Sequence, residues 1–192
     1  MEYETIKGMY LKKNGYIVGK GPSLKHLRRT HFPFKTSPVL TINEAILPVE
    51  RLNLPNTIYS LQKTEKAHPI KPESTILILQ KPEYSEDAFL DCPNRILVDP
   101  IVDMQLSPSE MSVRICIKIL LHMGCNRITF VCCDSLTSPD LRRYDVKTGL
   151  SEHIDPWASA YDYVIKLVWQ DVKDIPHKFV VPTKITFCTT GE

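Results

Sequence analysis

An α/β fold of Rossmann-like type, an open and mostly parallel sheet with helices on both faces, is the class this sequence predicts. Three observations carry that expectation. Short apolar runs alternate with stretches of helical pattern along most of the chain. The run Ser74-Thr75-Ile76-Leu77-Ile78-Leu79 is the most apolar strand to that point in the chain, as suits the middle of a parallel sheet. The run Tyr16-Ile17-Val18 passes directly into Gly19-Lys20-Gly21-Pro22-Ser23, a strand followed by a glycine turn and a helix start.

In chain order, residues 4–9 read as a short edge strand and 16–19 as the first buried strand. Ser23 stands where an N-cap would stand, with a basic helix over 23–30 that Pro33 prevents from continuing. Strands follow at 38–43, 57–62, 74–79 and 95–98, with a short helical segment through Arg51. Residues 108–123 carry the longest helical pattern, placing Val113, Ile117, Leu120 and Leu121 on one face, and Gly124 ends it as a C′ glycine. A buried strand over 127–133 ends at Asp134-Ser135. Residues 136–154 read as a long polar loop, Pro156 opens a last helix to about Val172, and strands at 178–181 and 184–187 close the chain.

Length and composition narrow the class. The chain has 192 residues, 43% hydrophobic and 24% charged, with a net charge of +2, which fits one soluble domain over 1–192. That charge is too mild to argue for a long nucleic acid. Basic residues cluster at Lys20, Lys25, His26, Arg28 and Arg29 and again at Arg142-Arg143, favouring a small phosphate-bearing ligand. Six cysteines show neither a C-x-x-C pair nor zinc spacing, so free thiols in a reducing, cytoplasmic setting are expected. No signal-peptide order opens the chain, and no apolar run reaches the roughly 18 residues of a membrane span. Homo-oligomerisation is left open.

Sheets of this class bind ligands beyond the carboxyl ends of their strands. Lys20, Asn43-Glu44, Gln62, Asp99 and Asp134-Ser135 fall at those ends, although turns and helix caps place polar residues there too. Backbone N–H groups of Gly19, Gly21 and Ser23, with Pro22 in the turn, the Ser23 hydroxyl and Lys20 as counter-charge, form a candidate phosphate cradle. The competing reading is a tight turn with nothing bound. No G-x-x-x-x-G-K-[ST], H-E-x-x-H or G-x-S-x-G motif is present, and the missing third glycine argues against NAD.

Gly19-Lys20-Gly21-Pro22-Ser23-Leu24 resembles the opening signature of the Campylobacter-type sialyltransferases. It is equally similar to the related Rossmann-like family of archaeal 6-hydroxymethylpterin diphosphokinase and motility-associated glycosyltransferases. Thr41-Ile42-Asn43-Glu44-Ala45 is similar to the sialyltransferases' second-strand end, and Met111-Ser112-Val113 through Asp134 to their serine-glycine helix and aspartate-ended strand. The departures are Lys20 where they have asparagine, Val113 where they have glycine, and a shorter chain. The resemblance implies a nucleotide or nucleotide-sugar ligand, CMP-type favoured, touching Gly19–Ser23, Asn43, Glu44, Gln62 and Ser112. Arg142, Arg143 and Tyr144 would act as a phosphate clamp. His153 would be the general base of an inverting glycosyl transfer, with Asp134 accepting from a ribose or acceptor hydroxyl. Two rivals stand beside it: Mg²⁺-dependent pyrophosphoryl transfer to a pterin-like alcohol with the metal on Asp134 or Asp99, and a binding protein that sequesters a nucleotide. Trp157 and Trp169 read as packing residues.

Overall fold

The structure is a computed structural model and describes residues 2–62, 67–80, 89, 91–107, 111–137, 142–153 and 158–183. Among the described residues seven strands form one parallel sheet: β1 (Asn14–Val18), β2 (Val39–Ile42), β3 (Ile58–Gln62), β4 (Ile76–Gln80), β5 (Arg95–Val98), β6 (Arg127–Val131) and, after a two-stranded excursion, β9 (His177–Val180). Their order is β5-β4-β3-β2-β1-β6-β9. The excursion is an antiparallel hairpin of β7 (Arg142–Tyr144) and β8 (Ser151–His153), pairing Arg142 with His153 and Tyr144 with Ser151. The expected α/β class with a parallel sheet is the fold observed.

The chain lays down β1 to β5 in one direction and then returns to place β6 on the other side of β1, with Val18 opposite Thr41 and Val131. Strand order therefore reverses between β1 and β6, where a crevice opens in such sheets. Helices cover both faces. On one, α3 (Ser112–His122) and α4 (Ala158–Val172) pack through Val113, Ile117, Leu120, Val168 and Val172 onto Ile17, Leu40, Leu61, Ile78 and Phe130. On the other, α1 (Ile46–Arg51) and the chain after β1 bring Val49, Leu24 and Phe32 against Tyr16, Val18, Val39 and Val131. Successive strand residues point to opposite faces, so neighbours such as Tyr16 and Ile17 enter different cores.

Arg114 and Asp171 join α3 to α4 by a two-pronged ion pair, Nε–Oδ2 at 2.6 Å and Nη2–Oδ1 at 3.2 Å. Trp169 is half-exposed and packs against His177 and Phe179. Gly124 ends α3 with φ +85°, the C′ conformation expected of it.

Several elements differ from expectation. Residues 3–6 form a 3₁₀ helix rather than an edge strand, because Tyr3 and Ile6, three apart, both turn into the core and Tyr3 stacks on His122 at 4.1 Å. The expected helix over 23–30 is two 3₁₀ turns, Pro22–His26 and Arg29–His31. The backbone N–H of Arg28 donates to His31 Nδ1 instead of continuing a helix. The polar loop over 136–154 contains the β7–β8 hairpin. A short helix, α2 (Pro100–Met104), follows β5; Asp99 caps it, accepting from Ile101 N–H at 3.0 Å and Val102 N–H at 3.2 Å. The strand expected at 184–187, Pro156 and Trp157 lie outside the described residues.

Candidate functional site

The glycine turn sits at the reversal point, as expected, but its donors are already engaged. Gly19 N–H donates to Val131 O at 2.9 Å and Gly21 N–H to Cys132 O at 2.8 Å, so the turn is laced to the end of β6. Ser23 N–H donates to Asp134 Oδ1 at 3.2 Å and its hydroxyl to Asp134 Oδ2 at 2.7 Å. The anion held at this helix start is the protein's own carboxylate, 111 residues along the chain. N–H groups at a helix start seek negative charge, and here Asp134 supplies it. Asp134 is thereby a latch, and Ser23 is its donor rather than the N-cap, which is Gly21.

The glycines serve proximity rather than unusual dihedrals. Gly21 has φ −64°, open to any residue. A Cβ there would overlap Asp134 Oδ2 and lie 2.5 Å from its Cγ; one at Gly19 would lie 2.7 Å from Cys132 O and 2.8 Å from Cys133 Sγ. Pro22 occupies the first position of the 3₁₀ helix, where its missing N–H costs nothing.

Around this latch a polar ledge runs across the carboxyl ends of β1, β2 and β3. Lys20 Nζ lies 2.5 Å from Glu44 Oε2, both side chains mostly buried at 17% and 19% exposure, so Lys20 is paired rather than a spare counter-charge. Asn43 takes φ +48°, a left-handed backbone that asparagine tolerates better than most residues, and Cys132 on the other side of β1 takes φ +55°. Gln62 is fully buried; its amide donates to Asn43 O at 3.2 Å and Ser60 Oγ at 2.8 Å, and its carbonyl oxygen receives no hydrogen bond from the described residues. The β7–β8 hairpin docks beside the turn through Tyr144 N–H donating to Lys20 O at 2.7 Å. Tyr144 packs against the Tyr16–Val18 core, while the side chains of Arg142, Arg143 and His153 lie outside the described ones. His153 sits on β8 two pairs along the ladder from Tyr144–Ser151, about 7 Å of strand. Ser112, half-buried, begins α3.

Burial governs the thiols nearby. It pushes Cys132 up to about 12 and Cys133 well above its ordinary value, so neither is a nucleophile at neutral pH. All five described cysteines are buried and free. Sequence reasoning placed Lys20, Asn43, Glu44, Gln62 and Asp134 at the carboxyl edge correctly. It missed that Asp134 fills the turn and that Asp99 is a helix cap, since both facts depend on side-chain placement.

Fold and ledge together define a Rossmann-like α/β protein with a polar carboxyl edge. Neither a protein-family model nor a curated protein matches the sequence. Solved structures similar to it include a mammalian sialyltransferase, at TM-score 0.49 and 12% identity over 89% of this chain and 70% of that one. The same identity and coverage, with TM-score 0.48, hold for a mammalian sialyltransferase in complex with Gal-beta-1-3GalNAc-ortho-nitrophenol. A likeness at that level concerns the backbone alone and transfers no residue's role. Among the described residues no helix is long and apolar enough to cross a membrane.

Proposed function

We propose that this chain is a group transferase, glycosyl transfer first, whose nucleotide or nucleotide-sugar lies over the carboxyl ends of β1–β3 instead of in the glycine turn. The observation that carries the reading is the buried Gln62 carbonyl oxygen, which has no donor among the described residues, beside the left-handed Asn43. A buried acceptor lacking a partner calls for a ligand donor or an ordered water, and strained backbone collects at binding sites. Gln62 Oε1 is closed to solvent here, so an exocyclic amine such as that of cytosine meets it once the side chain turns outward on binding, in keeping with the Campylobacter-type resemblance and a CMP-type ligand. In this reading His153 takes the acceptor's proton while Arg142 and Arg143, on the same hairpin, stabilise the departing phosphate.

The test is a thermal-shift panel of CMP, UDP, GDP, ATP and cyclic nucleotides, with and without Mg²⁺. A cytidine nucleotide should raise the melting temperature of the wild type and not of Asn43→Gly, which keeps the left-handed backbone and removes only the side chain. If no nucleotide shifts the wild type, the proposal fails. The second reading, a binding protein that sequesters its ligand without turnover, is favoured by the engagement of Asp134 with Ser23 and of Lys20 with Glu44. Binding that survives His153→Ala, with no transfer in either form, selects it. Pyrophosphoryl transfer has less behind it, because Asp99 caps α2 and Asp134 holds Ser23.

A further inference from the structure

Far from the ledge, at the amino ends of the strands, two connections meet beside β4 and β5. The first carries His68 into β4; the second carries Asp91 and Cys92 into β5. His68 Nε2 lies 3.2 Å from Asp91 Oδ1, and Cys92 Sγ lies 3.9 Å from the same oxygen. Imidazole nitrogen, carboxylate oxygen and thiol sulfur all lie within 4.8 Å of one another. Metal–ligand bonds of about 2.0–2.3 Å in a tetrahedron put neighbouring donors roughly 3.3–3.8 Å apart, so a small inward movement of His68 and Cys92 completes the geometry.

We propose that His68, Asp91 and Cys92 form a divalent-metal site of the zinc class that ties the connection entering β4 to the connection entering β5. Sulfur with imidazole selects zinc or a similar borderline ion over magnesium or calcium, which take oxygen donors. Three protein donors leave the fourth tetrahedral position for water or an added ligand.

The surroundings are arranged to hold the donors. The His68 ring packs on Phe89, centroids 5.0 Å apart, which fixes the ring's orientation. Phe89 takes φ +54°, a strained conformation for an aromatic residue, and its carbonyl accepts from Cys92 N–H at 2.9 Å, closing the turn that presents Asp91 and Cys92. Phe89 and Cys92 are also the buried cover over Leu77 and Leu79. A metal there would pin this small core at its rim.

On coordination the sulfur–hydrogen bond breaks, the sulfur's electron pair goes to the metal and the proton leaves to solvent. The spacing, a histidine 23 positions before an adjacent Asp-Cys pair, matches no C-x-x-C pattern and had no signal in the sequence.

The experiment is a Co²⁺ titration of the full-length chain in a non-thiol reductant, with Zn²⁺ competition. Expected is a near-ultraviolet thiolate-to-cobalt band that saturates at one equivalent, is bleached by Zn²⁺ and is absent in Cys92→Ser. His68→Gln and Asp91→Asn, both at exposed positions and so expected to fold, should weaken Zn²⁺ by more than the about 10-fold cost of losing an outer-shell partner. No band in the wild type, a band that persists in Cys92→Ser, or unchanged Zn²⁺ affinity in both exposed variants overturns the site.

Discussion

Substituting Gly21 by alanine tests the latch at its tightest point. The new Cβ would overlap Asp134 Oδ2 and approach Cγ to 2.5 Å and Cβ to 2.8 Å, so the carboxylate must leave. Both hydrogen bonds from Ser23 go with it. A hydrogen bond to a charged group contributes about 1.5–3 kcal/mol. Asp134 is only partly buried, so the lower figure applies to each bond, and the loss comes to about 3 kcal/mol. For a chain of this length that is a fall of roughly 6–12 °C in melting temperature. Urea denaturation of Gly21→Ala, Asp134→Ala and the double variant supplies the check. Because both substitutions remove one interaction, the double variant should be about as stable as either single one. Additive losses, or a Gly21→Ala within 0.5 kcal/mol of wild type, would refute the latch. Asp134→Ala also vacates the donors of Ser23, so inorganic phosphate should stabilise that variant more than the wild type.

Three further expectations rest on other contacts. Arg114→Ala leaves Asp171 with Lys118, at 3.6 Å, as its remaining cation among the described residues, and should cost at most the about 3–5 kcal/mol of a broken buried pair; Arg114→Met with Asp171→Leu should recover most of it in the same denaturation assay. Cys125 and Cys132, pushed by burial from 9.0 to about 12, stay protonated after their unfolded counterparts ionise. Their contribution is complete below pH 9 and falls between pH 9 and 12 by about 1.4 kcal/mol per pH unit per thiol, a slope that Cys132→Ala should reduce in urea midpoints taken across that range. For the same reason a thiol reagent at neutral pH should label none of the five described cysteines in the folded protein and all of them in guanidinium, read by peptide mapping.

The parallel sheet was legible because its signal is local. Runs such as 76–79 and 128–131 are apolar but for Thr129, bounded by turn chemistry, and almost wholly buried, so period and length suffice. The same locality misled at residues 23–30, where basic residues of good helix propensity carry no 3.6-residue apolar stripe. Tertiary contacts of Leu24 and Phe32 set two 3₁₀ turns instead. Asp99-Pro100 carries the residue types of a cap and first turn, yet α2 spans only five residues, too few for a helical period to mark it off from the end of β5.

The glycine turn shows where local reading stops. Two glycines, a proline and a serine after a strand read as a backbone that attracts negative charge, and the Asp134 carboxylate lies against the Ser23 N–H there. What the segment alone leaves undetermined is the source of the charge. That depends on β6 pairing with β1 in a register that sets Val131 opposite Val18 and leaves Cys132 in a left-handed turn, from which Asp134 reaches back to Ser23. An exogenous phosphate would have to displace a carboxylate already tethered by its own strand, whose effective concentration is far higher than that of a free ligand. The ligand proposed above is accordingly placed over Asn43 and Gln62, at the ends of β2 and β3, and not in the turn that Asp134 occupies.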